Sequence, residues 1–274
     1  MEKLDRLGWA AGMSCISYGA RIGIRVDDPL GLEPLVERLP PGWKLGPSPA
    51  VERLYSLILG GAASRPGLRR FNLLYGNSEK LARSMELDQV FEIFESDVQL
   101  YVAEMARRRV FVHAGVVGWG GQAIVIPGRS FSGKTTLVAE LVRAGATYYS
   151  DEYAVLDSRG RVHAYPKLIS IREPGTRRQR KSSVETLGGV LGVKPLPVGM
   201  VVVSEYRAGA RWRPRQLSAG QGALALLSNT VSARRKPGIV LATLQRVVSQ
   251  APVLKGIRGD AKEVADSILK SFGG

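Results

Sequence analysis

Residues 128–136, GRSFSGKTT, decide the fold because they fit the phosphate-binding pattern G-x-x-x-x-G-K-[ST]. In this pattern the glycines let backbone N–H groups turn toward phosphate oxygens, the lysine reaches the outer phosphates, and the next hydroxyl binds magnesium. The motif therefore predicts a nucleoside triphosphate as ligand; the alternative is a chance glycine-rich turn. The predicted nucleotide-binding residues are Gly128, Ser130, Ser132, Gly133, Lys134, Thr135 and Thr136.

The segments on either side of the loop predict a strand–loop–helix unit. The apolar run 123–126 indicates a buried strand, and we expect Pro127 to end its pairing because proline has no N–H to donate. After the loop, residues 137–142 show helical apolar spacing, and Gly145 is a stop signal for that helix. A helix that begins at the loop directs the positive end of its dipole toward a bound anion.

Composition predicts a folded, cytoplasmic protein without membrane association. The 274 residues, 45% of them hydrophobic, suffice for one large domain or two modest ones. No apolar stretch approaches the roughly 20 residues that a membrane-spanning helix needs, and the N-terminus, MEKLDRLGWA, lacks the pattern of a secretory signal. The lone cysteine, Cys15, excludes an internal disulfide, and its strand-like surroundings predict a buried structural thiol.

The chain is strongly basic, with 39 Lys and Arg against 24 Asp and Glu, a formal charge of +15. Such an excess favours polyanions. Basic residues recur throughout instead of concentrating on one element with interleaved aromatic residues, which disfavours nucleic-acid binding. Beside a nucleotide site, clusters such as 177–181 can instead offset triphosphate charge or receive an acidic partner.

The first hundred residues predict a separate α+β region. Residues 14–26 fit a strand or a hairpin, 31–39 a short helix and 54–59 a strand. The clearest helix is 86–106, where apolar residues recur at helical spacing. In the C-terminal part, residues 217–227 and 239–248 also have helical spacing, and we expect those helices to cover a sheet. We therefore divide the chain into a region 1–108 and a nucleotide-binding domain 109–274.

Three side chains near the loop indicate what it could do with a triphosphate. His113 lies upstream of the loop, and Asp151 and Glu152 follow the predicted helix just before the apolar run YAVL. Phosphoryl transfer requires positioning and charge neutralisation, so a lysine, a hydroxyl that binds the metal and a carboxylate aimed at a nucleophile suffice. The alternatives are an exposed turn for the two carboxylates and a core histidine for His113.

This layout of His113, the loop and the acidic pair resembles the catalytic domain of HPr kinase/phosphorylase. The whole chain is similar to HPr-kinase-related proteins, most strongly over residues 110–172. The resemblance implies an α/β fold: a P-loop kinase domain of the HPr-kinase/PEP-carboxykinase type with an N-terminal α+β region and a C-terminal helical cover. The chain departs from the family at Glu152, where the family has a second aspartate, and ISIREPG lacks the family's E-x-R-G order.

Carried onto this chain, the resemblance implies ATP and Mg²⁺ as cofactors. Lys134 would hold the outer phosphates, Asp151 would accept the proton of the attacking hydroxyl, and His113 would lie near Asp151 and influence its protonation. The implied catalytic residues are thus His113, Lys134 and Asp151, and the implied metal ligands are Thr135, Asp151 and Glu152. The resemblance also suggests a homo-oligomer.

The expected activity is transfer of the γ-phosphoryl group of ATP to a hydroxyl of a protein serine or a small molecule. The alternative is a regulatory switch that binds or hydrolyses ATP without kinase activity. The densest basic stretch is either a solvated loop or the source of an arginine that closes over the phosphates. Its members are Arg172, Arg177, Arg178, Arg180 and Lys181.

Overall fold

The computed structural model describes residues 2–61, 70–129, 132–172 and 179–272. The chain forms two compact units, Met1–Arg108 and Arg109–Gly274. Among the described residues, no helix combines the length and the apolar composition needed to cross a bilayer.

The N-terminal unit is a six-stranded sheet in the order β3-β1-β2-β4-β5-β6. Strands β2 and β4 run parallel, and the other neighbours are antiparallel. The elements are α1 (Glu2–Asp5), β1 (Ala11–Ser17), β2 (Ala20–Val26), α2 (Leu32–Val36), β3 (Lys44–Leu45), β4 (Arg53–Ile58), β5 (Asn72–Gly76), β6 (Glu79–Ser84) and α3 (Leu87–Met105).

Local sequence signals explain most of this unit. Helix α3 confirms the helix predicted at 86–106, and its apolar stripe packs with the buried residues of the sheet in one core. Residues 14–26 form the β1–β2 hairpin, whose turn residues Tyr18 and Gly19 both have positive φ, 49° and 89°. The helix expected at 31–39 is shorter at both ends: a 3-10 turn over Pro29–Gly31 precedes α2, and α2 ends at Val36. Cys15 is buried, as predicted.

The C-terminal unit is built on a second sheet in the order β11-β10-β7-β8-β14-β16-β15, with β9 also paired to β7. Strands β12 and β13 form a separate two-stranded sheet. The elements are β7 (Val110–Trp119), β8 (Gln122–Pro127), α4 (Lys134–Arg143), β9 (Thr147–Ser150), β10 (Tyr153–Leu156), β11 (Arg161–His163), β12 (Ile169–Arg172), β13 (Gln179–Ser182), β14 (Leu196–Tyr206), β15 (Arg215–Gln216), α5 (Ala219–Leu227), α6 (Pro237–Gln250), β16 (Val253–Arg258) and α7 (Ala261–Phe272).

Helices pack on both faces of this sheet. Along β8, Val125 joins a core that contains residues of α5 and α6, whereas Ile124 and Ile126 join a core that contains residues of α4 and α7. The alternation follows from the two-residue period of a strand, which sends successive side chains to opposite faces. The molecule is therefore a mixed α/β protein, as the sequence predicts.

One detail of the predicted strand–loop–helix unit was wrong. Pro127 is the last residue of β8, yet the N–H of Gly128 still donates to the carbonyl of His113 at 3.1 Å. Proline removes only its own donor, so the next residue continues the pairing with β7.

Three parallel strands set the position of the candidate site. Strand β14 runs parallel to both β8 and β16. Their carboxyl ends therefore lie along one edge of the sheet, the edge where α/β folds bind ligands. The loop 128–133 follows β8 at this edge, and Tyr206 and Arg258 end the two neighbouring strands.

Candidate active site

Glycine stands at both ends of the loop between β8 and α4. Gly133 has φ +80°, a left-handed conformation that favours glycine, and α4 begins at the next residue. A side chain on Gly133 would collide with the guanidinium of Arg258, and a Cβ on Gly128 would lie 2.7 Å from the Ser132 hydroxyl. The loop is therefore closely packed at both glycines. The predicted ligand Ser130 lies outside the described residues.

Lys134 is buried although it carries a charge. The residue is 7% exposed, and its ammonium group donates to the carbonyl of Arg129 at 2.9 Å. Burial lowers the pKa of Lys134, while the charges of Glu152 and Asp151 oppose that effect. The side chain thus folds back over its own loop instead of extending into solvent. Thr135 and Thr136 follow in the first turn of α4, where backbone N–H groups have no partner within the helix.

Asp151 follows β9 and lies beside the start of α4. One carboxylate oxygen accepts from the Thr135 hydroxyl at 3.2 Å, and the other accepts from the Tyr148 hydroxyl at 2.9 Å. Asp151 is 8% exposed, so the exposed-turn alternative is excluded for this carboxylate. Burial raises the pKa of Asp151, the Tyr148 and Thr135 hydrogen bonds oppose the rise, and the charge of Glu152 adds to it. The carboxyl group therefore binds a proton more readily than a surface aspartate does.

The structure places His113 beside Glu152, the residue that follows Asp151. The imidazole Nε2 lies 3.2 Å from the Glu152 carboxylate. Strand β10 pairs with β7 with Tyr153 opposite His113, and Glu152 immediately precedes β10. His113 is thus not a core histidine without a polar partner.

The two neighbouring carboxyl groups have opposite pKa shifts. Burial acts to raise the pKa of Glu152, but the hydrogen bond and charge of His113, together with Lys167 and Lys134, hold it below its ordinary value. The pKa of Asp151 is raised. Environments that shift the pKa values of two neighbouring carboxyl groups in opposite directions are typical of acid–base sites. Of the pair, Asp151 is the one suited to accept a proton.

Sequence reasoning missed two residues of this site. The Tyr148 hydroxyl contacts Asp151 and also donates to the carbonyl of Lys167 at 3.1 Å. Its position in a strand immediately before the acidic pair is the only local signal for it. Arg258, at the end of β16, donates to the carbonyl of Gly133 at 2.8 Å. No motif connects Arg258 to the loop in the sequence; only the order of the strands does.

The basic stretch falls in two paired strands and in the segment between them. Arg172 belongs to β12, and Arg180 and Lys181 belong to β13, which pairs with it. Arg177 and Arg178 lie outside the described residues.

The donor set fits Mg²⁺ better than a closed metal centre. In the described part of the chain, no group of three or more His, Cys, Asp or Glu side chains could hold a metal ion. Magnesium in phosphate-loop sites instead takes one or two protein oxygens and completes its shell with phosphate oxygens and water. The adjacent oxygens of Thr135 and Asp151 meet that requirement. His163 is engaged with Asp157 at 3.0 Å, outside this site.

Comparison with known proteins adds little to this geometry. No protein-family model and no curated protein sequence matches the chain. A solved structure, the Hpr(Ser) kinase/phosphatase from Coxiella burnetii, matches with 13% sequence identity over 59% of this chain and 97% of that chain, at a TM-score of 0.31. A similarity of that size indicates a distant relationship of fold at most and carries no argument about activity.

Proposed function

We propose that the C-terminal unit binds ATP with Mg²⁺ and transfers the γ-phosphoryl group to a hydroxyl of a protein serine or a small molecule. The observation that carries the proposal is the 3.2 Å contact between the Thr135 hydroxyl and the buried carboxylate of Asp151. In this contact, Thr135, which would bind the metal, meets a carboxyl group whose pKa is raised. The contact lies immediately beside a phosphate-loop sequence.

The loop and the start of α4 would bind the phosphates. Backbone N–H groups at a helix N-terminus favour anions, and the Lys134 ammonium adds a full positive charge next to them. Gly128 and Gly133 allow the backbone to approach the phosphates closely. Bound Mg²⁺ would neutralise phosphate charge between Thr135 and Asp151.

Asp151 would take the proton of the attacking hydroxyl. A general base works best when its pKa lies near the operating pH, and burial shifts the pKa of Asp151 in that direction. Tyr148 would fix the orientation of the carboxylate through its 2.9 Å hydrogen bond. Glu152, paired with His113, would remain ionised and add negative charge beside the metal site.

The test is to incubate the protein with γ-labelled ATP and an extract of its own cells. Label on a protein or small-molecule acceptor supports the kinase. Release of labelled phosphate alone, increased by a partner, supports instead an ATP-driven switch. With the acceptor identified, Asp151→Asn should bind ATP normally and transfer about 1,000-fold more slowly.

Asp157→Asn is the matched control, because it makes the same change at a buried aspartate of the same unit, whose carboxylate pairs with Arg161 and His163. It should transfer phosphate at the rate of the unmodified protein. Undiminished transfer by Asp151→Asn would show that Asp151 is not the base.

A further inference from the structure

Arg258 is a buried cation directly behind the phosphate-loop sequence. The residue is 2% exposed, and its Nη2 donates to the carbonyl of Gly133 at 2.8 Å and reaches that of Ser132 at 3.5 Å. Its Nη1 reaches the carbonyl of Gly259 at 3.4 Å. All three acceptors are backbone carbonyls, so none of them carries a counter-charge.

Among the residues that the structure describes, no carboxylate forms an ion pair with Arg258. Asp260 is the nearest acidic residue along the chain, and its carboxylate accepts the N–H groups of Lys262 and Glu263 at the start of α7. Burial lowers the pKa of the guanidinium, and the charges of Tyr206 and Asp260 offset that effect only in part. The Nε of Arg258 is buried with no hydrogen-bond partner among the described residues. A buried charge without an ion pair costs free energy, and folded proteins rarely keep one.

The surroundings of Arg258 increase this cost. The N-terminus of α4 carries a partial positive charge from the helix dipole, which disfavours cations there. Lys134, a second buried cation, is the first residue of that helix and likewise has no ion pair within the described part of the chain. Three sources of positive charge therefore converge on the loop, and an anion bound there would compensate all of them.

The contacts of Arg258 also fix how the loop presents its N–H groups. In a planar trans peptide the C=O and N–H bonds point in opposite directions. The guanidinium holds the carbonyls of Ser132 and Gly133 on its side, so the N–H groups of Gly133 and Lys134 are directed to the other side. The Gly133 carbonyl also accepts from Leu137 at 3.2 Å, the first hydrogen bond of α4, so loop and helix share this anchor.

We propose that Arg258 is a positioning residue for the triphosphate: it orients the loop N–H groups and supplies buried positive charge that the phosphates neutralise. This inference rests on the proposed nucleotide binding. The part of the nucleotide that Arg258 would help to bind is the polyphosphate and not the nucleoside.

The proposal is tested with Arg258→Met, which replaces the cation by an apolar side chain of similar length. Isothermal titration calorimetry should show the affinity for inorganic tripolyphosphate reduced by about 10- to 100-fold. The ligand-free protein should melt at the same temperature or higher, because an unpaired buried charge is gone. Arg258→Lys keeps the charge but cannot hold both carbonyls in one planar fork, so its affinity should be intermediate.

Arg207→Met is the matched control. Arg207 is exposed, its backbone N–H donates to the carbonyl of Arg258 at 2.9 Å, and its loss changes the net charge equally. This variant should bind tripolyphosphate as the unmodified protein does, within the small effect of one surface charge.

Two results would overturn the role of Arg258: tripolyphosphate affinities of both Arg258 variants equal to that of Arg207→Met, or a lowered melting temperature with unchanged affinity of the folded fraction. If Arg258→Met does not fold, unchanged affinity of Arg258→Lys overturns it alone. An unmodified protein that binds neither tripolyphosphate nor ATP would instead remove the nucleotide proposal, and the role of Arg258 with it.

Discussion

Two clusters of polar side chains, one in each unit, differ in how their charges are balanced. In the N-terminal unit, Arg53, Tyr55 and Asp97 form a closed cluster: the Arg53 guanidinium lies 3.0 Å from the Asp97 carboxylate, and the Tyr55 hydroxyl donates to the same oxygen at 2.6 Å. Burial acts to lower the pKa of Arg53, but Asp97 and Tyr55 more than offset it. Charge is thus balanced inside the cluster.

In the C-terminal unit, Lys134, Asp151 and Arg258 form an open cluster. Each is buried and hydrogen-bonded to backbone carbonyls or hydroxyl groups, but within the described residues none of them has an ion pair. Burial lowers the pKa of Lys134 and raises that of Asp151, so both side chains are shifted toward their neutral forms. The closed cluster serves stability, whereas the open cluster lacks partners that a ligand can supply.

Among the tests of this contrast, the largest effect is expected at Lys134. Lys134→Met should weaken ATP binding by about 100-fold, because a buried ammonium beside the phosphates is lost. The free energy of unfolding of the ligand-free protein should stay the same or rise, since no ion pair is broken. Calorimetric titration and urea denaturation measure the two quantities. A large loss of stability with unchanged ATP affinity would place Lys134 among the structural residues.

Asp97→Ala should behave in the opposite way. It leaves the Arg53 guanidinium and the Tyr55 hydroxyl without their shared acceptor, so the free energy of unfolding should fall by about 2–3 kcal/mol. ATP affinity of the folded protein should not change. Glu92→Ala, at an exposed position of the same helix, is the control and should alter stability by less than about 0.5 kcal/mol.

The contrast also explains how far sequence reasoning reached. The loop, its flanking strand and helix, and α3 follow from patterns of a few residues, which local propensity and burial decide. The acidic pair could be placed at a strand end because Asp151 and Glu152 precede a fully buried strand, β10.

The site contacts that the sequence did not predict depend on strand pairings between segments far apart in the chain. His113 meets Glu152 because β10, which Glu152 immediately precedes, pairs with β7, the strand that carries His113. Arg258 reaches the loop because β16 lies parallel to β14, which lies parallel to β8. The residues near Arg258 in the sequence do not indicate the order of these three strands in the sheet.

A second closed cluster, around Asp157, provides a pH test of the comparison. Burial acts to raise the pKa of Asp157, but hydrogen bonds from His163, Arg161 and Arg159 hold it at about 2. The folded pKa lies below the unfolded value, so this stabilisation is complete above pH ~4 and is lost as the pH falls toward ~2. Asp157→Asn should cost about 1–2 kcal/mol at neutral pH and flatten the stability profile in that window.

Urea denaturation between pH 2 and pH 7 measures this profile. Because the Asp157 carboxylate pairs with Arg161 and His163, ATP affinity should be unaffected at neutral pH. A profile equally steep in Asp157→Asn would assign the acid-sensitive stability to other carboxyl groups.

The smallest effect is expected at Tyr148, whose neutral hydroxyl donates a hydrogen bond to Asp151 of the open cluster. Tyr148→Phe removes the hydroxyl that donates to Asp151 at 2.9 Å. Because that hydrogen bond favours the ionised carboxylate, its loss should raise the pKa of Asp151 further and move the acid limb of the transfer rate to higher pH. We expect about a tenfold slower transfer at neutral pH with unchanged ATP affinity.

Tyr149→Phe is the matched control, since the neighbouring hydroxyl donates to the carbonyl of Lys194 instead. An equal shift of the pH profile in both variants would mean that Tyr148 acts through the packing of β9 and not through Asp151.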